Sequence, residues 1–272
     1  MRHALGVYVE YINLQIESEN KMDGIKYLLK FGKYPHIKEF AKGSLYCSPA
    51  RTFWKIEKDL NRKGQGDILE GGMRLFIQQM TLTENGTNKA LYKNGKTRIP
   101  VYFSVEDIPV FCLFIVGEGD CSVNEFGDPT INLSEDIKKT IKDHFPDADS
   151  VGVIKDPDSF IHDVEDTVGH EVKYGKVHYF HIDKGFPAND GINTANDLEY
   201  IKYLTQDTPP INGRYCLASA YSYRALFCKD VFFKDEHEYR IILPSETITH
   251  GTHYPIHIRQ TINIMSINEF IN

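Results

Sequence analysis

Apolar runs and four-residue apolar spacings divide this chain into strands and helices. Ile108 to Val116 is apolar almost throughout and predicts a strand buried on both faces. Ile25 to Phe31, Ser44 to Cys47, Met73 to Leu82, Ala90 to Tyr92 and Thr97 to Ser104 predict further strands. So do Val151 to Ile154, Val177 to Ile182, Phe232 to Leu243 and Tyr254 to Thr261. Gly6 to Glu17 fits a strand or an early helix. Pro35 opens a short helix with Ile37, Phe40 and Ala41 as its buried stripe and Gly43 as its stop. Arg51 to Leu60 is amphipathic. Ser134 caps a helix carrying Ile137, Ile141 and Phe145, which Pro146 ends. Asp156 caps another, with Pro157 in its first turn, Phe160, Ile161, Val164 and Val168 inside, and Gly169 closing it. Leu198 to Leu204 fits a helix broken by Pro209-Pro210. Asn94-Gly95 predicts a hairpin turn, with Thr97 to Ser104 returning, and Asn85-Gly86-Thr87 reads as a turn.

Strands in runs, with helices between and hairpins dominant, predict an α+β class: a mixed, mostly antiparallel split sheet with flanking helices. The 272 residues suit a single domain, with the loop near residues 186–196 as the one plausible internal boundary. The formal net charge of −7 argues against a general duplex binder while leaving room for a local basic groove. Five scattered cysteines, with no C-x-x-C pair, argue against a disulfide framework or a thiolate zinc site. No run approaches a membrane span, and the first residues lack the apolar core of a secretory signal, so a reduced cytoplasm is expected.

Walker, Rossmann, zincin and nucleophile-elbow signatures are absent, and no metal site is expected, since His178 and His181 fall on opposite strand faces. The informative stretch is Phe232 to Ile242. Read as a strand, it puts Glu236, Glu238 and Arg240 on one face and His237, Tyr239 and Ile241 on the other. Two carboxylates so placed raise each other's proton affinity, and Arg240 offsets part of that. The pattern fits either a solvated charge ladder or a carboxylate held over a cleft. Gly66-Asp67-Ile68-Leu69-Glu70-Gly71 is a second candidate, because its glycines permit close backbone approach; a polar turn is the plainer reading. Tyr46, Phe53 and Trp54 read as core, with Tyr46 also a candidate for the cleft wall.

Lys30-Phe31-Gly32, His36-Ile37, Lys42 to Tyr46, Gly66-Asp67 and Glu70-Gly71 resemble the first half of the bacterial domain-of-unknown-function family 2971 and its relatives. Phe111 to Leu113, Ile154 to Phe160, Val177 to Tyr179 and Phe233 to Arg240 resemble its later pattern. Glu236-x-Glu238 is also similar to the acid-x-Glu pair of ADP-ribosyltransferases, notably toxins that modify nucleic-acid bases, and Arg98 to Phe103 resembles a strand of the DNA-modifying members. That second resemblance implies NAD as substrate and ADP-ribose transfer to a nucleic-acid or protein acceptor. It makes Glu238 the catalytic acid, stabilising an oxocarbenium-like transition state, and Glu236 the residue that positions or deprotonates the acceptor. Lys30, Tyr46, Asp67 and Glu70 would line the dinucleotide site, with Lys30 where such enzymes offer Arg or His. A toxin or antiphage effector is the implied setting. The alternative is a non-catalytic binding or sensor module with a partner protein in a defence or toxin–antitoxin system. A third reading, a metal-independent nuclease, would use His237 or His178.

Overall fold

The computed structural model describes residues 7–8, 22–60, 66–77, 80–84, 87–92, 97–125, 129–182, 194–208, 214–250 and 252–271. The chain forms two compact units. One comprises Asn13–Ile68, Glu106–His178 and Phe232–Asn272, and the other Met1–Ile12, Leu69–Val105 and Tyr179–Val231. The sequence suggests one domain with a boundary near residues 186–196; instead the chain passes between the units at five other places.

The larger unit is built on an antiparallel sheet. Its strands are β1 (Ile25–Gly32), β2 (Ser44–Pro49), β3 (Pro109–Gly117), β4 (Ser150–Ile154), β5 (Lys173–Lys176), β6 (Glu238–Ile242), β7 (Tyr254–His257) and β8 (Asn263–Ser266). Their order is β5–β6–β3–β1–β4–β8, with β2 also on β3 and β7 on β2. Helices α1 (Tyr34–Ala41), α2 (Arg51–Leu60), α3 (Glu135–His144), α4 (Pro157–Val168) and α5 (Ile267–Ile271) complete the unit.

The registers sort the side chains onto two faces. Leu29 pairs with Phe114 and Val153, and their face packs with Ile141 of α3 and Ile271 of α5. Tyr239 pairs with Leu113, and Ile241 with Phe111; their face packs with Phe40 of α1 and Phe160, Ile161 and Val164 of α4. β3 lies inside the sheet with both faces covered, which is why its sequence is apolar without alternation. The α+β reading with a mostly antiparallel sheet and flanking helices therefore holds.

Local chemistry sets the helix ends as expected. The Ser134 hydroxyl accepts from the Ile137 amide, and the Asp156 carboxylate from the Ser159 amide at 3.1 Å. Gly169 closes α4 in the left-handed conformation, with φ 70°. Gly43, with φ 91°, is needed twice over: a Cβ there would also stand 2.3 Å from the Ile258 carbonyl oxygen.

The sheet is split along β3. Residues 114–117 ladder with β1 and residues 109–110 with β2, so residues 111–113 face neither strand's register. The Lys30 ammonium donates to the Cys112 carbonyl at this gap, at 2.8 Å.

In the smaller unit, Gly72–Ile77 pairs with Thr97–Tyr102, and Met80–Glu84 with Thr87–Tyr92. The returning strand after Asn94-Gly95 therefore pairs with Gly72–Ile77 and not with Ala90 to Tyr92, because the two ladders are nested. Residues 85–86 and 93–96 lie outside the described residues. Helix Thr194–Thr205 begins earlier than the sequence suggests, and its Tyr200 hydroxyl donates to the Gly72 carbonyl at 3.2 Å. Of Gly6 to Glu17, only the strand Val7–Tyr8 is described, and Pro209-Pro210 lies outside. Among the described residues, no helix is long and apolar enough to cross a membrane.

A matched pair of substitutions tests the role of Gly43. Gly24 also has positive φ, 71°, but a Cβ there meets nothing within 4 Å. In urea titrations, Gly24→Ala should lose about 1–2 kcal/mol, the cost of left-handed backbone alone. Gly43→Ala should lose clearly more, and equal losses would rule out the carbonyl clash.

Candidate functional site

Phe232 to Leu243 is not one strand. Val231–Glu236 forms a tight 3-10 turn, His237 takes a left-handed conformation with φ 43°, and β6 begins only at Glu238. The expected alternation of Glu236 and Glu238 on one strand face therefore does not form. The backbone shows how: the His237 amide donates to the Lys234 carbonyl at 3.4 Å, closing the 3-10 turn locally, and only then does the His237 carbonyl accept from the Ile115 amide of β3 at 2.8 Å as the ladder begins. The Glu236 carboxylate instead faces His144, at the end of α3, at 3.6 Å.

Glu238 and Arg240 do share a face. Register puts Glu238 opposite Phe114 and Arg240 opposite Cys112. Both side chains are buried, Arg240 completely. Arg240 Nε donates to Glu238 Oε1 at 2.7 Å and its Nη2 to Oε2 at 3.1 Å, a two-bond fork. The Phe53 ring of α2 lies 5.9 Å from the guanidinium carbon. Burying either charge alone would carry a large desolvation penalty; together, with matched geometry, they offset it.

Cys112 joins the cluster from β3. Burial pushes its thiol well above the ordinary range, and the charge of Glu238 pushes further in the same direction. Arg240 and Lys30 act the other way and do not win. Cys47, on β2, is likewise pushed up to about 12 by burial, with Lys30 opposing. Both thiols are thus protonated at neutral pH and serve as small apolar side chains.

Lys30 is half-buried, with its ammonium 4.5 Å from the Phe111 ring centroid as well as on the Cys112 carbonyl. β3 therefore links Lys30, Cys112, Glu238 and Arg240. Asp67 is buried, its amide donating to the Phe53 carbonyl at 3.2 Å, and the Ile68 amide donates to Glu57 Oε2 at 2.6 Å. The segment is thereby anchored on α2, whose Phe53 faces Arg240. A Cβ on Gly66 would stand 2.3 Å from the Glu57 amide nitrogen, so this glycine serves the close approach of α2's own backbone. Glu70 is completely buried within the smaller unit, where a Cβ on Gly71 would strike Val105 at 2.3 Å.

Tyr46 is not core. It is 41% exposed on β2, with its ring edge-on to His253 at 4.9 Å, and it stands on the opposite side of its strand from buried Leu45 and Cys47. Phe53 and Trp54 are half-buried. The structure thus brings together Glu238 and Arg240, with Asp67 next to the α2 residue that faces Arg240; Lys30 lies over Phe111 on the other face of the sheet, and Tyr46 and Glu236 stand elsewhere. Sequence reasoning missed the depth of Arg240 and the participation of Cys112. The signal for Cys112 was its place within an apolar strand already read as central. Among the described residues, no group of three or more His, Cys, Asp and Glu side chains is placed to hold a metal ion.

Comparison with protein-family models, curated proteins and solved structures finds no match to this chain.

Two measurements check this cluster. Arg240→Met should destabilise the protein by about 3–5 kcal/mol, because it leaves a carboxylate buried without its partner. Glu238→Leu combined with Arg240→Met should recover most of that loss; a double variant as weak as the single one would show that the pair is not self-contained. In native protein at neutral pH, iodoacetamide should leave Cys47 and Cys112 unmodified while both react in urea, as mass spectrometry of peptides would report.

Proposed function

We propose that this chain is a non-catalytic binding or sensor module. One observation carries the reading: both oxygens of the Glu238 carboxylate are held by the Arg240 guanidinium inside the protein. An ADP-ribosyltransferase acid must offer its carboxylate to a ribose hydroxyl and to the positive charge that develops on the sugar. A carboxylate already neutralised by a fork of two charge-assisted hydrogen bonds has little left to give either. Glu236 stands off the strand and meets His144, so the second acid of an acid-x-Glu pair is not beside the first. The nuclease reading fares no better. His237 lies on an exposed left-handed turn, and its described neighbours are the Phe114 ring and its own backbone partners.

The same geometry gives a binding module what it needs, a rigid frame. The charge pair, the Lys30 contact at the sheet split and the α2 anchor of residues 66–68 fix interior positions without consuming the exposed side chains of α1, β2 and β7.

The test is NAD consumption in the presence of single-stranded DNA, RNA or protein acceptors. The expected result is no turnover above a blank, for both the unaltered chain and Glu238→Gln. Turnover by the unaltered chain that disappears in Glu238→Gln would restore the transferase reading, provided circular dichroism shows the variant still folded.

A further inference from the structure

We infer that the outer edge of β8 pairs antiparallel with β8 of a second copy of this chain, extending the large sheet across a two-fold axis. The inference concerns a different part of the molecule from the Glu238–Arg240 pair and holds whether or not the chain is catalytic.

The eight-stranded sheet ends in three edge strands, β5, β7 and β8, each four residues long. An open edge offers unpaired amides and carbonyls to any passing strand, and proteins guard it with charge, proline or cover. Two of the three edges are guarded. On β7, the Ile258 amide donates to the Gly43 carbonyl, so by alternation the backbone of Pro255 turns outward, and proline has no amide to offer there. On β5, the Val177 amide donates to the Glu238 carbonyl, which turns the backbone of Tyr174 and Lys176 outward. The Lys176 ammonium reaches across to the Asp23 carbonyl at 2.7 Å, so a lysine and the chain at Asp23 stand over that edge.

β8 has no such guard. The Ile267 amide donates to the Asp149 carbonyl, so Asn263 and Met265 turn their backbone to β4, while Ile264 and Ser266 turn theirs outward. Among the described residues, nothing bonds the Ile264 amide, the Ile264 carbonyl or the Ser266 amide. From Gln260 to Asn268 no residue is charged and none is proline.

These features fit a second copy. Both edges are uncharged, so nothing local opposes self-pairing in a chain of net charge −7. The Ile262 amide is already taken by the Ala41 carbonyl at 3.0 Å, which closes the lane at that end and sets the centre of pairing at Met265. The Ser266 amide of each copy then donates to the Ile264 carbonyl of the other. Each Ile264 amide donates to the opposite Ser266 carbonyl, which opens α5 and keeps a second lone pair. Met265 of one copy stands directly opposite Met265 of the other, in a non-hydrogen-bonded pair whose side chains meet. A foreign strand could use the same bonds, but a second copy brings an uncharged edge open at the same two positions.

Four main-chain bonds make a contact far smaller than stable dimers need, so association should be weak, with a dissociation constant of about 100 µM. Sedimentation velocity in about 0.15 M salt, which screens the net charge, should show the mean mass rising toward that of two chains between about 10 µM and about 1 mM. Over that range, exchange of the Ile264 and Ser266 amides should slow about five-fold, while the Met265 amide, turned to β4, should not change. Ile264→Pro removes an outward donor and leaves the ladder to β4 intact, so it should weaken association about ten-fold with circular dichroism unchanged. Met265→Lys and Met265→Glu should each weaken it likewise, by setting like charges opposite, and a mixture of the two should recover it. A mean mass of one chain throughout, or dimers that persist in all three variants with unchanged exchange at Ile264 and Ser266, would overturn the inference. Should the charged variants not fold, exchange in the unaltered chain decides. NAD turnover reads Glu238 and mass reads β8, so the failure of one reading is distinct from the failure of the other.

Discussion

A guanidinium and a carboxylate removed from water on one strand must satisfy each other, and the surroundings of β6 follow from that requirement. Arg240 is a large, fully buried side chain in the middle of the sheet, where hydration cannot reach it. Its two bonds to Glu238 supply the counter-charge, the Phe53 ring supplies a polarisable neighbour, and a small thiol on β3 stands directly opposite. A bulky apolar residue at position 112 would crowd the fork. The ladder between β6 and β3 begins at this point, with the Ile115 amide donating to the His237 carbonyl just ahead of Glu238. The cluster therefore links the start of β6, the centre of β3 and the first turn of α2.

The same logic explains a division between interior and surface polarity. Inside, charged groups are paired or hydrogen-bonded: Glu238 with Arg240, Lys30 with a carbonyl at the sheet split. Outside, on α1, lysines stand beside tyrosine and solvent. The glycine-flanked segment belongs to the interior group. Gly66 permits a backbone approach to α2 that any side chain would block, a demand of packing and not of a bound molecule.

Much of the fold was legible because its causes are local. Ser134, Asp156 and Gly169 set helix ends through hydrogen bonds and backbone preferences acting within a few residues, and Ile108 to Val116 declared its central place by composition. Most of the misreadings have long-range causes. Asn94-Gly95 is a good turn dipeptide, but which strand residues 97–102 pair with is decided by the ladder they form with residues 72–77. Tyr46 has the same composition signal as a core aromatic and is exposed because of the side of β2 on which it falls. Glu236 and Glu238 fit strand alternation well; the 3-10 turn over Val231–Glu236 and the left-handed His237 break it, and apolar composition there does not reveal that turn. Arg240 resembled a surface residue because burial of an arginine depends on a partner whose distance is invisible before folding.

The position of β6 in the sheet also has a consequence for biosynthesis. β6 lies between β5 and β3, yet it is translated more than a hundred residues after β3 and more than sixty after β5. Until the ribosome has released residue 242, β3 keeps one row of main-chain donors and acceptors open, on the most apolar strand of the chain. The nascent protein thus carries an adhesive edge while more than a hundred residues are added. Its yield in a cell should then depend on holdase chaperones and on translation speed between β3 and β6.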